Sequence, residues 1–232
     1  MGFLKKAWKT VKKAVRTVVW VMNRIGSIFE LALSLLRFRP EKKMRIHGWI
    51  LAEHLHGKFV PVEDEDVVKE WFVKAGEIIK REATVKLLND GGGPRWAWGA
   101  REGAPASAIT PPSDTSFLNG GAEEFYDDYH PNYSLFGIRV FIVKDFVPSV
   151  RGSSWPVFTG IAAVRKTQVT SGISVGGGPD VLVHEIGHLC GLFHRNGTKS
   201  NLMCSSEAGR TGTNLTQWQV SVLRTSEYTS WL

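Results

Sequence analysis

Cysteine is scarce in this chain, and long uncharged apolar runs are missing. Two cysteines among 232 residues are too few for a disulfide-stapled miniprotein. No run of about 18 apolar residues is free of charged groups, so the sequence predicts no transmembrane helix. Glycine, proline and charged residues are not enriched as they are in collagen-like or disordered chains. The length therefore suits one globular domain, alone or with an appendage.

Proline is absent from residues 3–37, and this segment contains a single glycine, Gly26. Apolar residues recur there at alternating steps of four and three, which places them on one stripe of a helix. The stripe consists of Leu4, Trp8, Val11, Val15, Val18, Met22, Ile25, Phe29, Ala32 and Leu36. Residues 1–43 hold 11 of the 29 basic residues and two acidic ones, a net charge of +9, which leaves residues 44–232 at −2. The sequence thus predicts a basic amphipathic helical extension, 1–43, before a body, 44–232.

Three roles are open for this extension. Basic amphipathic helices with aromatic residues bind anionic membrane surfaces, so residues 1–43 could contact such a membrane or a secretion and delivery machinery. A stripe of this period also packs on another helix, of its own domain or of a second chain. The third role is that of an export or packaging tag. A nucleic-acid partner is not expected, since the basic residues alternate with the apolar stripe and the body is net acidic.

The extension is a poor match to a cleaved secretory signal. Its basic residues continue to Arg16, the uncharged stretch after them stops at Arg24, and no small-residue cleavage site follows. We expect the protein to be extracellular or exported, by a route other than a standard cleaved signal peptide.

The body alternates strand and helix patterns. Strands are predicted at 44–52, 84–88, 136–143, 160–164 and 172–175. The acidic run 63–66 opens a first helix, residues 179–191 form a second, and Thr216 with Gln219 makes the capping box of a last one. Residues 90–135 are a long irregular insert of a kind that is usually functional or mobile. This order predicts an α+β fold, an α/β-type sandwich.

The segment from His184 to His194 contains the candidate metal ligands and the candidate catalytic residue. His184 and His188 are four residues apart, so both imidazoles project from one face of a helix and can hold one Zn²⁺. Glu185 sits beside the first of them, where a carboxylate reaches a metal-bound water without being a ligand. Gly191 lets the backbone turn back at positive φ, and His194 can then supply a third nitrogen. Three neutral ligands would leave the metal one open position, as in catalytic zinc sites.

These residues resemble the long zinc motif of the metzincin metallopeptidases, H-E-x-x-H-x-x-G-x-x-H, at every fixed position. Metzincins also have a Met-turn, which Asn201-Leu202-Met203 resembles, and the resemblance implies that Met203 forms an apolar floor beneath the zinc. It implies a twisted mixed sheet, the motif helix at the centre and a C-terminal helix, with an upper subdomain at about 44–191 and a lower one at about 192–232. The edge strand that binds an extended peptide would be Gly160, Ile161, Ala162, Ala163 and Val164.

The chain departs from that family in its details. Ser205 stands where astacin-like and serralysin-like members have a Tyr, so no Tyr ligand is expected. No cysteine precedes the motif, which excludes latency through an upstream thiol. Cys190 and Cys204 lie 14 positions apart, so they either form a disulfide that ties the Met-turn to the motif helix or are two free thiols. A disulfide would indicate an oxidising compartment.

Other candidate ligands are weaker. Glu207 is an alternative third ligand, as in thermolysin-type enzymes, and His54 with His56 could bind a metal weakly. Calcium at Asp127-Asp128 has no supporting loop spacing.

The sequence therefore predicts a hydrolase: a zinc-dependent metalloendopeptidase that cleaves protein or peptide substrates. Its cofactor would be one catalytic Zn²⁺, and a metal-activated water would attack the peptide bond with Glu185 as general base. The alternative is a membrane-active or delivered effector or toxin. In that case the helix of residues 1–43 is the main activity, and the peptidase-like domain is a payload or scaffold.

Overall fold

The computed structural model describes most of the chain, with gaps. The described residues are 18, 21–22, 24–33, 35–36, 38–88, 106–112, 125–126, 137–147, 150–154, 160–170, 173–176, 178–205 and 210–230. Their strands are β1 (Lys42–Ile50), β2 (Ala52–Leu55), β3 (Lys58–Pro61), β4 (Val85–Leu88), β5 (Ile138–Val143), β6 (Gly152–Ser154), β7 (Ile161–Arg165), β8 (Thr167–Thr170), β9 (Ile173–Gly176) and β10 (Thr229–Ser230). Their helices are α1 (24–33), α2 (Glu65–Ala83), α3 (Ala106–Ile109), α4 (Pro179–Leu189) and α5 (Gln217–Arg224).

A six-stranded, mostly parallel sheet lies at the centre of the fold. The strand order is β10-β1-β5-β7-β6, and β4 also pairs with β1. β1 is parallel to β4 and β5, and β5 is parallel to β7, whereas β6 and β10 are antiparallel to their neighbours. The predicted α+β fold with a mixed sheet is therefore confirmed.

Both faces of the sheet are covered, which is why β5 is buried along its whole length. Val140 and Ile142 belong to one core, which they share with residues of α2 and α4. Phe141 and Val143 point to the opposite face and belong to a second core. Tyr126, from the long insert, lies in this second core, so part of the insert is an integral layer of the domain.

The acidic run opens α2 as the sequence predicts. Asp64 is the N-cap, and its carboxylate accepts hydrogen bonds from the backbone N–H groups of Asp66 and Val67. The helix ends at Thr84, whose φ of 54° is left-handed, and β4 begins at the next residue. The apolar face of α2 packs on α4 and thus supports the helix that carries the histidine motif.

The ends of α4 and α5 also follow from their sequences. Pro179 occupies the first turn of α4, where its missing N–H costs no hydrogen bond. The capping box of Thr216 and Gln219 is present at the start of α5. α4 carries His184, Glu185 and His188 of the motif, and α5 follows the Met203 turn.

The extension is described only in part. Val18, Val21, Met22 and Leu35 are helical in addition to α1, and the stripe residues before Val18 lie outside the described residues. None of the described helices combines the length and apolar character that a membrane span needs. The division into residues 1–43 and 44–232, with two subdomains in the body, stays a prediction.

The expectation that residues 160–164 form the edge strand is wrong. β7 lies inside the sheet, with β5 parallel on one side and β6 antiparallel on the other. All five β7 residues are buried. The mostly apolar sequence of this strand therefore reflects its position between β5 and β6 in a covered sheet. Among the described strands, β6 (Gly152–Ser154) is the last in the sheet; its glycine and serines lack strand-forming side chains and gave no signal in the sequence.

Candidate metal centre

Three histidines converge at the end of α4. His184 and His188 project from the helix, and the chain turns back at Gly191, whose φ of 85° is left-handed. The turn brings His194 to the same place, so that the three Nε2 atoms lie 3.1–3.2 Å from one another. In the described part of the chain, these rings form a group whose ligand atoms are close enough to hold one metal ion.

Hydrogen bonds at the opposite nitrogens define the tautomers of two rings. Nδ1 of His184 lies 2.7 Å from the carbonyl oxygen of Leu202, and Nδ1 of His188 lies 2.8 Å from that of Leu192. Because a carbonyl oxygen only accepts, each Nδ1 carries the proton and donates it. The Nε2 lone pairs of His184 and His188 therefore both face the centre of the histidine triangle.

This donor set fits a metal ion. Lone pairs on neutral rings at 3.1 Å repel one another unless a cation lies between them. Ligands about 2.0–2.1 Å from a tetrahedral zinc lie roughly 3.3–3.4 Å apart, close to the observed spacing of the nitrogens.

Burial keeps two of the rings neutral. It lowers the pKa of His184 to about 3, with a further contribution from the neighbouring His188. It also lowers the pKa of His188 to about 4. Metal ligands must be unprotonated, so both rings are ready to bind a cation at neutral pH.

Glu185 lies beside His184 on α4 and is buried. Burial raises the pKa of its carboxyl to about 7, although a hydrogen bond with Ser154 and the positive charge of Arg210 oppose the rise. A carboxyl that titrates near neutrality can both accept and return a proton. This places an acid–base group next to the metal-ligand cluster.

The β6 strand packs directly against this carboxylate. A Cβ atom added at Gly152 would lie 2.8 Å from Oε1 of Glu185 and 2.9 Å from Cγ1 of Val181. Glycine is thus the residue that lets the strand approach α4 this closely. A pocket of about 130 Å³ opens here, between the β6 segment, α4 and the side chains of His194, Ser205 and Arg210.

Met203 lies in a turn below the motif helix. Its side chain is fully buried, and its Sδ would lie 2.6 Å from a Cβ added at Gly187 of α4. The Met203 N–H donates to Oδ1 of Asn201 at 2.9 Å, and its carbonyl accepts from the N–H of Arg195 at 2.8 Å. The turn thus places the thioether against the helix that carries His184 and His188.

Arg210 is a pocket residue that sequence reasoning missed. Its Nη2 donates to Oδ2 of Asp180 at 2.8 Å, and its Nη1 donates to the carbonyl of Leu202 at 3.2 Å. It lines the pocket together with His184, Glu185 and His194. No motif spacing connects a loop arginine to α4, so the only local hint was Asp180, an acidic residue in the first turn of a mostly apolar helix.

The two cysteines are free thiols, so the disulfide alternative is not realised. Both are buried but face different surroundings. The Cys190 thiol interacts with the side chain of Ser226, and burial raises its pKa to about 12. Cys204 Sγ lies 4.0 Å from the carbonyl oxygen of Asn196. The indication of an oxidising compartment disappears with the disulfide.

The weaker candidate metal ligands either lie apart from the histidine cluster or fall outside the described residues. His54 and His56 are exposed, and the ring of His54 contacts Phe59 rather than the histidine cluster. Glu207 and the pair Asp127-Asp128 are outside the described residues.

Similarity to known proteins is found among solved structures. No protein-family model matches the chain, and no curated protein matches it in sequence. Metalloproteinase-II from Bacteroides fragilis is similar in structure, with a TM-score of 0.45 and 11% sequence identity, over 81% of this chain and 54% of that one. The chain thus spans about half the length of that protein.

Proposed function

We propose that this protein is a zinc-dependent endopeptidase of the metzincin type. The observation that carries the proposal is the convergence of three Nε2 atoms within 3.2 Å, beside a buried carboxyl group. Backbone carbonyls hold the protons of His184 and His188 on the outer nitrogens, which leaves their inner lone pairs for a metal.

His184, His188 and His194 would hold the ion. Zn²⁺ bound there would polarise a peptide carbonyl and lower the pKa of a water molecule to about 7. Glu185 would take a proton at Oε1 or Oε2 and later deliver it to the leaving amine, a role for which a pKa near 7 is suited. Ser154 and Arg210 favour the ionised form of the carboxyl, which is the form that accepts the proton.

We also assign the substrate to the pocket side of β6. This strand is last in the sheet order, and Arg151 and Gly152 line the same pocket as Glu185 and His194. A peptide that extends the sheet along β6 would bring its backbone carbonyl next to the three histidines. This assignment replaces the one made from the sequence for residues 160–164.

The test is metal analysis combined with peptide cleavage. Purified protein should contain about one zinc per chain and cleave a quenched-fluorescent peptide library, and a chelator should abolish cleavage until zinc is restored. Glu185→Gln should retain zinc and lose about a hundredfold to ten-thousandfold in kcat/KM, because general acid–base catalysis contributes on the order of 10²–10⁴.

Glu70→Gln is the matched control for the charge change. Glu70 is exposed on α2, where it pairs with Lys74, and this variant should keep full activity. Undiminished turnover by Glu185→Gln would remove the general-base role. A preparation that binds no zinc at saturating concentration would overturn the whole proposal.

A further inference from the structure

The extension helix binds the body through its polar side. Arg24 Nη2 donates to the carbonyl of Gly191 at 2.6 Å, and the hydroxyls of Ser27 and Thr225 are 2.6 Å apart. Glu30 is buried and accepts a hydrogen bond from Arg224 Nε at 2.9 Å, and it also pairs with Lys42. The three contact residues are spaced three apart, so they occupy one side of the helix.

The described part of the apolar stripe consequently faces away from the body. Its described large members, Val18, Met22, Ile25, Phe29 and Leu36, are 50–76% exposed. Most surface helices bury such a stripe and expose their polar side, and this helix does the reverse. Val21, Ile28 and Leu35 widen the exposed face, which is therefore a contiguous apolar surface rather than a set of isolated residues.

The charge of the adjoining sequence identifies the partner. Lys5, Lys6, Lys9, Lys12, Lys13 and Arg16 precede the described helix, and no acidic residue occurs before Glu30. A second copy of the chain would cover the apolar face but would bring two such basic segments together. Nucleic acid would match the charge but would not cover the apolar side chains. An anionic lipid bilayer satisfies both requirements, because its acyl boundary accepts the apolar side chains and its headgroups attract lysine and arginine.

We propose that the exposed stripe of α1 and its flanking residues is a docking surface for an anionic lipid membrane. The helix would lie in the plane of the interface, with the contacts of Arg24, Ser27 and Glu30 intact on the side of the protein. Because Arg24 binds the turn that leads from His188 to His194, docking would hold the histidine cluster next to the lipid surface. The proposal does not depend on the peptidase activity, since lipid binding and peptide cleavage are measured separately.

The test uses the full chain and sedimentation with vesicles. Vesicles of phosphatidylcholine with phosphatidylserine should bind the protein, vesicles of phosphatidylcholine alone should bind it at least about tenfold more weakly, and high salt should weaken binding to the anionic vesicles. The double variant Ile25→Ser/Phe29→Ser should lose at least about tenfold in affinity, because two apolar side chains no longer enter the bilayer. Val73→Ser is the matched control: Val73 is an equally exposed apolar residue on α2, and its variant should bind like the original protein.

Thermal unfolding of each variant verifies the fold before binding is compared, and both substituted residues are exposed, so an unchanged melting curve is expected. Absence of binding to anionic vesicles would overturn the proposal. So would equal binding of the double variant and the original chain. A concentration-dependent dimer that the double variant abolishes, without any lipid binding, would assign the surface to a second copy instead.

Discussion

At the scale of single residues, two glycines shape the candidate centre as much as the histidines do. Gly187 leaves room for the Met203 sulfur, and Gly152 leaves room for the Glu185 carboxylate. Neither glycine was a candidate in the sequence, because no sequence motif indicates which side chain a glycine in a helix or a short strand contacts. The histidines were predictable because their spacing is local, whereas Arg210 reaches Asp180 across 30 residues of sequence.

Gly152→Ala tests the fit between β6 and the acid–base group. The added Cβ would meet Glu185 Oε1 at 2.8 Å, so we expect the carboxylate to move and kcat/KM to fall at least about tenfold, since small misplacements of catalytic groups are costly. Zinc content should not change, because the substitution does not touch the histidines.

Gly197→Ala is the control for this substitution. A Cβ there meets nothing within 4 Å, and activity should be unaffected. Equal activity of the Gly152→Ala and Gly197→Ala variants would show that Glu185 is not held by this contact.

At the scale of elements, the acidic run 63–66 and the capping box of Thr216 and Gln219 correctly predicted where two helices begin, whereas the apolar pattern of 160–164 did not predict its position in the sheet. Asp64 is the N-cap of α2, and Thr216 is the N-cap of α5. Each side chain accepts hydrogen bonds from N–H groups in the first turn of its helix, so the signal lies within a few residues of sequence. The strand β7 was misplaced at the edge, since an apolar run indicates burial but not which strands lie beside it. The side on which α1 docks was equally hidden, because Glu30 pairs with Arg224, 194 residues away.

Glu30→Gln tests how α1 is attached. Burial alone would raise the pKa of Glu30, but the hydrogen bonds and charges of Lys42 and Arg224 outweigh it and lower the pKa. The substitution leaves two buried cations without their anion, which costs about 3–5 kcal/mol in the free energy of unfolding. Urea titration measures this loss.

Glu41→Gln provides the comparison, because Glu41 is half exposed and contacts Lys80 only at 3.8 Å. Its effect should stay below about 1 kcal/mol. The contribution of Glu30 should be present above pH 4.5, the ordinary value of an unfolded glutamate, and disappear as pH falls through its lowered pKa. Equal losses in the two variants would contradict a buried ionic attachment.

At the scale of the whole molecule, charge and burial are divided unevenly. The extension carries +9 and the rest of the chain −2, and this division was readable from composition alone. What composition could not show is that the described part of the extension contacts the body through polar side chains and leaves its apolar stripe exposed. Export and the route by which it would occur stay predictions.

The folding stability of the metal-free protein should be sensitive to acid. The unfolded chain takes up a proton on each histidine near pH 6.5, whereas folded His184 and His188 do so only near pH 3 and 4. The unfolding free energy of chelated protein should therefore fall as pH drops below 6.5. Glu185 acts in the opposite direction between about pH 7 and 4.5, because its folded pKa is raised.

Thermal unfolding across this pH range, with chelator and with zinc, measures the effect. Zinc at a thousandfold excess over its dissociation constant should add about 4 kcal/mol at neutral pH. In the chelated Glu185→Gln variant the decline with acid should be steeper, since the opposing carboxyl is gone. A chelated protein whose stability rises steadily from pH 6.5 to 4 would contradict the buried, neutral state of the two rings.

The carbonyl oxygen of Leu202 accepts hydrogen bonds from both His184 and Arg210. If this peptide group rotated, Nδ1 of His184 would lose its hydrogen-bond acceptor, and the ring proton could move to Nε2. Nε2 would then carry an N–H that repels a cation instead of a lone pair that binds one. Backbone orientation in the Met203 turn and cation affinity are therefore thermodynamically linked, and by reciprocity an ion that occupies the centre would rigidify a loop that it never touches.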